Sequence, residues 1–221
     1  MVEAGLVERG VAAAKDYQSV GSFQLTESGR LLIKQLPFFL ITKNYGNLFE
    51  KYTLKYLPDK FIQRVGAFQT CEIVKSVTPV FARIKKLELD AKRFLMVMGQ
   101  QAFTEEGRIF ADRAAHNVEI YVLIGRNTIF PKDVMESPEM KQFKILQASG
   151  KAKLKMVDTV NTALYITESQ SALMLPNLKG EIDMSMLIVG NNPSFNEWCL
   201  DLFNYMWERA WPGGPEKAKI V

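Results

Sequence analysis

"RFLMVMGQQAFTEEGRIFADRAAHNVEIYVLIG", residues 93–125, holds the pattern on which the fold turns. Its ends are two apolar runs, RFLMVMG (93–99) and VEIYVLIG (118–125). Uninterrupted runs of this length suit strands covered on both faces, the condition of a parallel sheet. Between them, Phe103 to His116 reads as a helix. Glu105 and Glu106 stand near its start, where the helix dipole favours negative charge, and Asn117 suits a left-handed cap at its end. Strand, helix, strand in this order make a βαβ unit with a right-handed crossover. The expected class is α/β.

Working outward, Thr78-Pro79 reads as a cap and first helical position, followed by an apolar face of Val80, Phe81, Ile84, Leu87 and Ala91. Ser137-Pro138-Glu139 opens a further helix that closes on Gly150. Short strands are expected at about 152–157, 162–167, 171–175 and 184–189. In the last helix Ser194 and Glu197 have capping-box spacing. Phe195, Trp198, Cys199, Leu202, Phe203, Met206, Trp207 and Ala210 then repeat as one apolar stripe. Pro212-Gly213-Gly214-Pro215 stops it, and 212–221 is expected to be a disordered tail.

Toward the other end, "FQLTESGRLL" (23–32) reads as a strand end, a Thr26 cap and a basic helix carrying Leu31, Leu32, Ile33 and Leu36. Val11 to Lys15 would be the outgoing strand of a hairpin that returns at Phe23–Leu25. Residues 37–57 are too rich in Phe, Tyr and Leu for a flexible linker, so they are expected to bury against the main domain or a second subunit. A short helix from Pro58 takes in Phe61, Ile62 and Val65.

Composition excludes several classes. At 221 residues, 48% apolar and 24% charged, the chain reads as an ordinary globular protein. No apolar run approaches the ~18 residues of a membrane span, and the start lacks the shape of a signal peptide. Cys71 and Cys199 are far apart, which argues for a reducing cytoplasm and against a disulfide framework or a metal site. A net charge of +4 is compatible with nucleic acid without demonstrating it. The single histidine, His116, excludes any mechanism needing two histidines in one subunit.

The order and wording of these segments resemble a known family. AGLVER (4–9) and FQLTESGRLL are similar to the final third of archaeal winged-helix regulators: the end of a recognition helix, a wing hairpin and the following helix. LPDKFIQRVGAF (57–68), AAHNVEIYVLIG (114–125), ALYITESQSALMLP (163–176) and above all FNEWCLDLFNYMWERA (195–210) resemble the effector domain of FilR-type methanogenesis regulatory proteins. The resemblance covers about residues 1–211. It implies a phospholipase-D-like α/β effector domain at 58–211 behind a partial winged helix-turn-helix at 1–36, with an apolar connector at 37–57 that takes part in dimerisation. It also implies a transcription regulator with DNA and a second copy of itself as partners. The earlier helices of the winged helix are not seen ahead of Ala4, so the chain is expected to begin inside the DNA-binding module.

The expected site residues follow from this frame. Parallel sheets bind ligands at the carboxyl ends of their strands. Gln100, Arg126 and Asn191 were the polar residues expected there, suited to a small anionic effector. Arg9 and Lys15 flank the wing and could contact DNA phosphates. Phospholipase-D chemistry uses paired His-x-Lys motifs, whereas His116 precedes Asn117-Val118 and has no partner. No catalytic residue, metal or cofactor is therefore expected. The rival readings are a divergent phosphodiesterase or nuclease on the same fold, and a ligand-binding or dimerisation module without DNA.

Overall fold

The computed structural model describes residues 4, 6–9, 23–101, 104–130, 132–214 and 219–220. At the front, strand β1 (Val7–Arg9) pairs antiparallel with β2 (Phe23–Leu25). The outgoing strand expected at Val11–Lys15 lies outside the described residues. Thr26 caps the next helix as expected, its side chain accepting from the Gly29 amide at 3.1 Å. That helix, α1, runs from Glu27 to Asn44 through Pro37, so the boundary expected between 36 and 37 falls inside one continuous helix. Proline within a helix costs roughly 3 kcal/mol. Packing offsets it: Ile41 is fully buried against the main domain, with Phe38 and Tyr45 beside it. The chain continues through α2 (Gly46–Phe49), α3 (Asp59–Ile62) and a 3-10 turn at Val65–Phe68.

The main sheet is built from β3 (Glu72–Lys75), β4 (Phe94–Gln101), β5 (Glu119–Phe130), β6 (Ala152–Val157), β7 (Ala163–Thr167), β8 (Ser171–Met174) and β9 (Met186–Gly190). Two short segments join it, β10 (Trp211–Pro212) and β11 (Lys219–Ile220). Its order is β10-β6-β5-β4-β7-β8-β9-β3, with β11 against β5. The pairs β4–β5 and β5–β6 are parallel, while β4–β7, β7–β8, β8–β9 and β9–β3 are antiparallel. The expected βαβ unit is present, with α5 (Thr104–Ala115) as its crossover and Asn117 at φ 62° closing the helix. Within 212–221, expected as a disordered tail, Pro212 pairs with Lys155 and Lys219–Ile220 with Ile129–Phe130 among the described residues.

Helices cover both faces. On one, α4 (Val77–Leu89), α5 and α7 (Pro138–Ala148) pack over Leu95, Val97, Ile120, Val122 and Leu154. A short α6 (Lys132–Glu136) precedes α7, whose cap is Ser137. On the other, α8 (Pro193–Arg209) sets Phe195, Trp198, Cys199, Leu202 and Phe203 against Met98, Leu123, Leu164, Ile166 and Ile188. Adjacent strand residues thus feed opposite cores, as a two-residue side-chain period requires. Two caps differ from expectation. Asn192, not Ser194, caps α8 by accepting from the Phe195 amide, and Glu197 reaches toward Arg64 instead. Helix α4 begins after Ser76, ahead of Thr78.

Candidate functional site

The three expected ligand residues do not converge. Strand β5 continues past Gly125 to Phe130, so Arg126 lies inside the strand's span and not in a loop beyond it. The register shifts here: Gly99 opposes Ile124, while Gln101 opposes Ile129. The extra residues form a bulge pinned from within. Gly125 donates to Thr128 Oγ1 at 2.9 Å, and Thr128 donates to the Gly99 carbonyl at 3.2 Å. Asn127 brackets Val160, donating to its carbonyl and accepting from its amide, each at 3.1 Å. The Gln100 amide donates to the same carbonyl. Gln100 thus serves the bulge, and Arg126 points out to a solvated pair with Asp158 at 3.8 Å and to the Trp211 ring at 5.2 Å.

Asn191 lies at the other end of the sheet. Gly190 pairs with Ser171, Ser171 with Ile166, and Ile166 with Met96. Gln100 stands four residues further along β4, roughly 13 Å away along the strand. Because β9 runs antiparallel to β4, its carboxyl end emerges where β4 begins. In the β1–β2 hairpin, Arg9 is described only as strand backbone, and Lys15 lies outside the described residues. His116 is exposed at the end of α5 with Nδ1 2.8 Å from the Asp112 carbonyl, and no partner histidine exists. Among the described residues no cluster of His, Cys, Asp or Glu is arranged to hold a metal. Cys71 is buried, and that burial pushes its thiol up to about 12.

Two further features stand out, the first with no sign in the sequence and the second an apolar helix face that the sequence shows but whose exposure it does not. The first is a cleft of about 810 Å³ between the connector and the β3 edge of the sheet. Asn44, Asn47 and Lys51 line its connector side, and Lys75, Ser76 and Ser185 its sheet side. Tyr52 closes the cleft, donating to Asp183 Oδ2 at 2.8 Å, and burial together with that carboxylate pushes its hydroxyl up to about 12. Ser76 holds φ 77° and ψ 142°, a conformation non-glycine residues rarely adopt, and its amide donates to the Ser185 carbonyl at 2.8 Å. The strand on which Lys75 sits was invisible as a strand because EIVK is short and lies at an edge.

The second is the free face of α1. Leu31, Leu32, Ile33, Leu36 and Phe39 remain 48–62% exposed. Leu32, Leu36 and Phe39 follow the four-then-three spacing of a coiled-coil seam. The rest of the connector is differently disposed: Leu48, Phe49 and Leu54 pack onto the main domain.

No helix among the described residues is long and apolar enough to cross a membrane. No protein-family model matches the chain, and no curated protein matches it by sequence. Solved structures do resemble it. A phospholipase D family member, Nuc from Salmonella typhimurium, overlaps 65% of this chain and 97% of its own, at 11% identity and a TM-score of 0.49. The archaeal chromatin protein TrmBL2, described as showing a novel mode of DNA binding, matches 96% of this chain and 78% of its own, at 10% identity and a TM-score of 0.52. The hairpin, connector helix and α/β domain of this chain together share the fold of that archaeal protein.

Proposed function

We propose that the chain is a DNA-binding regulator of archaeal type, in which the α/β domain is the sensing and assembly part and the β1–β2 hairpin is the wing. The observation that carries this reading is the hairpin followed, through the Thr26 cap, by one helix that runs unbroken into the core of the domain. A wing rigidly coupled to a larger domain is a means of transmitting a signal, and an enzyme domain has no need of it. The free apolar face of α1 supports a homodimer, because two-fold pairing buries the same stripe on both copies. The solitary, exposed His116 supports the absence of phosphodiester chemistry.

Fluorescence anisotropy with labelled duplex DNA tests the reading. The expected result is weak, sequence-indifferent binding whose affinity falls linearly on a log–log plot against salt. Changing Arg9 and Lys15 to Glu should abolish it. No retention of duplex at about 50 mM salt would overturn the proposal in favour of a module without DNA, and turnover of a phosphodiester that His116→Ala removes would overturn it in favour of the enzyme reading.

A further inference from the structure

The cleft between connector and sheet is built from both parts of the molecule, and its chemistry is specific enough to name a ligand class. Lys51 comes from the connector and Lys75 from β3, so each wall of the cleft contributes a lysine to its lining. Neither lysine has a salt bridge among the described residues. Glu50 is the acidic side chain on the lining. The carboxylate behind it, Asp183, is already occupied by Tyr52 and by Ser185, whose hydroxyl and amide both donate to it.

Polar and apolar groups divide the space in a useful way. Asn44, Asn47 and Ser76 offer neutral donors, and the Ser76 hydroxyl makes no hydrogen bond among the described residues. Leu48, Ile73 and Met186 supply an apolar wall. A volume of about 810 Å³ is within the ~300–1,000 Å³ of small-molecule sites. Two separated cations, a few amide and hydroxyl donors and one apolar wall fit a small organic molecule with an acidic group at each end.

We propose that this cleft binds a small organic dianion, one acidic group on Lys51 and the other on Lys75, with its carbon body against Ile73 and Met186. Such a ligand bridges the connector to the sheet. Its binding therefore favours the arrangement in which α1 and the wing are fixed relative to the domain. This last consequence rests on the regulator reading; the binding itself does not.

The test is thermal shift and calorimetry on the whole chain with succinate, 2-oxoglutarate and glycerol 3-phosphate, with acetate and sodium chloride as controls. Succinate and 2-oxoglutarate present two carboxylates, whereas glycerol 3-phosphate carries both charges on one group. At least one dicarboxylate should raise Tm with concentration, as a ligand that binds only the folded state must. Acetate and salt should not. Lys51→Ala and Lys75→Ala should each weaken binding about tenfold, the order expected for losing one charge-assisted contact, and the double variant should abolish it. Arg126→Ala should respond as wild type. A wild-type chain that responds to no dicarboxylate overturns the proposal, as does a double variant that responds equally or a response lost in Arg126→Ala. Duplex binding measured in parallel separates the two readings. DNA binding without any dicarboxylate response leaves the regulator and removes the cleft. A dicarboxylate response that depends on the two lysines, with no DNA binding, leaves the cleft and removes the regulator.

Discussion

Glu88 is the residue whose chemistry is least at ease in this fold. It lies on α4 at 1% exposure, and its Oε1 has no hydrogen-bond partner. Burial pushes its carboxyl well above the usual range, and the negative charges of Glu106 and Glu105 push it further. Tyr165 faces the same space, its hydroxyl donating to Glu106 at 3.5 Å, while Lys85 is paired with Glu105. The folded chain therefore keeps a proton on Glu88 at pH values where the unfolded chain has released it. Stability is fully present below the ordinary carboxylate pKa of ~4.3 and is lost as pH rises from there toward the raised folded value. Glu88→Gln cannot ionise, so it should melt close to wild type at pH 4 and above it at pH 8. A gain of about 1–3 kcal/mol is the scale for relieving a buried, unsatisfied group, and melting curves at the two pH values check it; equal shifts at both would refute this account. Helical spacing puts Glu88 on the face that carries Val80, Ile84, Leu87 and Ala91, but its residue type gives no sign of burial. The same holds for Gln100 and Asn127, whose role is to hold Val160. Sequence can show that an amide follows a strand, but not that a bulge consumes it.

At the scale of elements, α1 and the 3-10 turn meet backbone against backbone. A Cβ added to Gly66 would stand 2.7 Å from Pro37 Cβ, 2.8 Å from the Pro37 carbonyl carbon and 2.9 Å from the Phe38 amide nitrogen. Two of these are backbone atoms, which cannot rotate away. Gly66→Ala should therefore push α1 off the domain at a cost of about 1–3 kcal/mol, the usual range for overpacking. Hydrogen exchange should show lost protection at 38–45 with β4 and β5 unchanged; protection lost evenly across the sheet would contradict a local effect. Elements with a strong period were legible in the sequence: α5, α7, α8 and the runs that became β4 and β5. The long extension of β5 was not, because Gly125-Arg126-Asn127-Thr128 carries ordinary turn composition. Its return to the sheet depends on contacts with Gly99 and Val160 that are distant in sequence. The cap of α8 was misplaced by two residues because Ser194 and Asn192 are both good caps. Pro193, favoured at the first helical position, decides for Asn192.

At the scale of the whole molecule, the sequence carried the layers but not the direction of the last strands. MLIVG (186–190) is apolar whichever way it runs, and only its pairing with β8 makes it antiparallel to β4. That reversal is why Asn191 leaves the site in which it was expected, and why the cleft at β3 takes its place as the candidate. The connector's apolar surface was expected to bury against the main domain or a second subunit, and the fold divides that surface in two. Phe49 packs onto the domain, whereas Phe39 is 58% exposed. Five large apolar side chains on nine consecutive helical positions are more than an isolated helix face usually leaves in water. Two copies of α1 set side by side can bury Leu32, Leu36 and Phe39 as a coiled-coil-like seam, each stripe covering its equivalent. Sedimentation at tens of micromolar should then give a dimer for the wild-type chain. Leu36→Glu with Phe39→Glu should give a monomer whose Tm, at low concentration, stays within a few degrees of wild type, because neither side chain is part of the core. Phe49→Glu should behave differently. It buries a charge against the domain and should lower Tm by several degrees, a loss of about 2–4 kcal/mol, while leaving the seam itself intact. A wild-type monomer at these concentrations, or a dimer that survives the double change on α1, would show that this face serves some other contact.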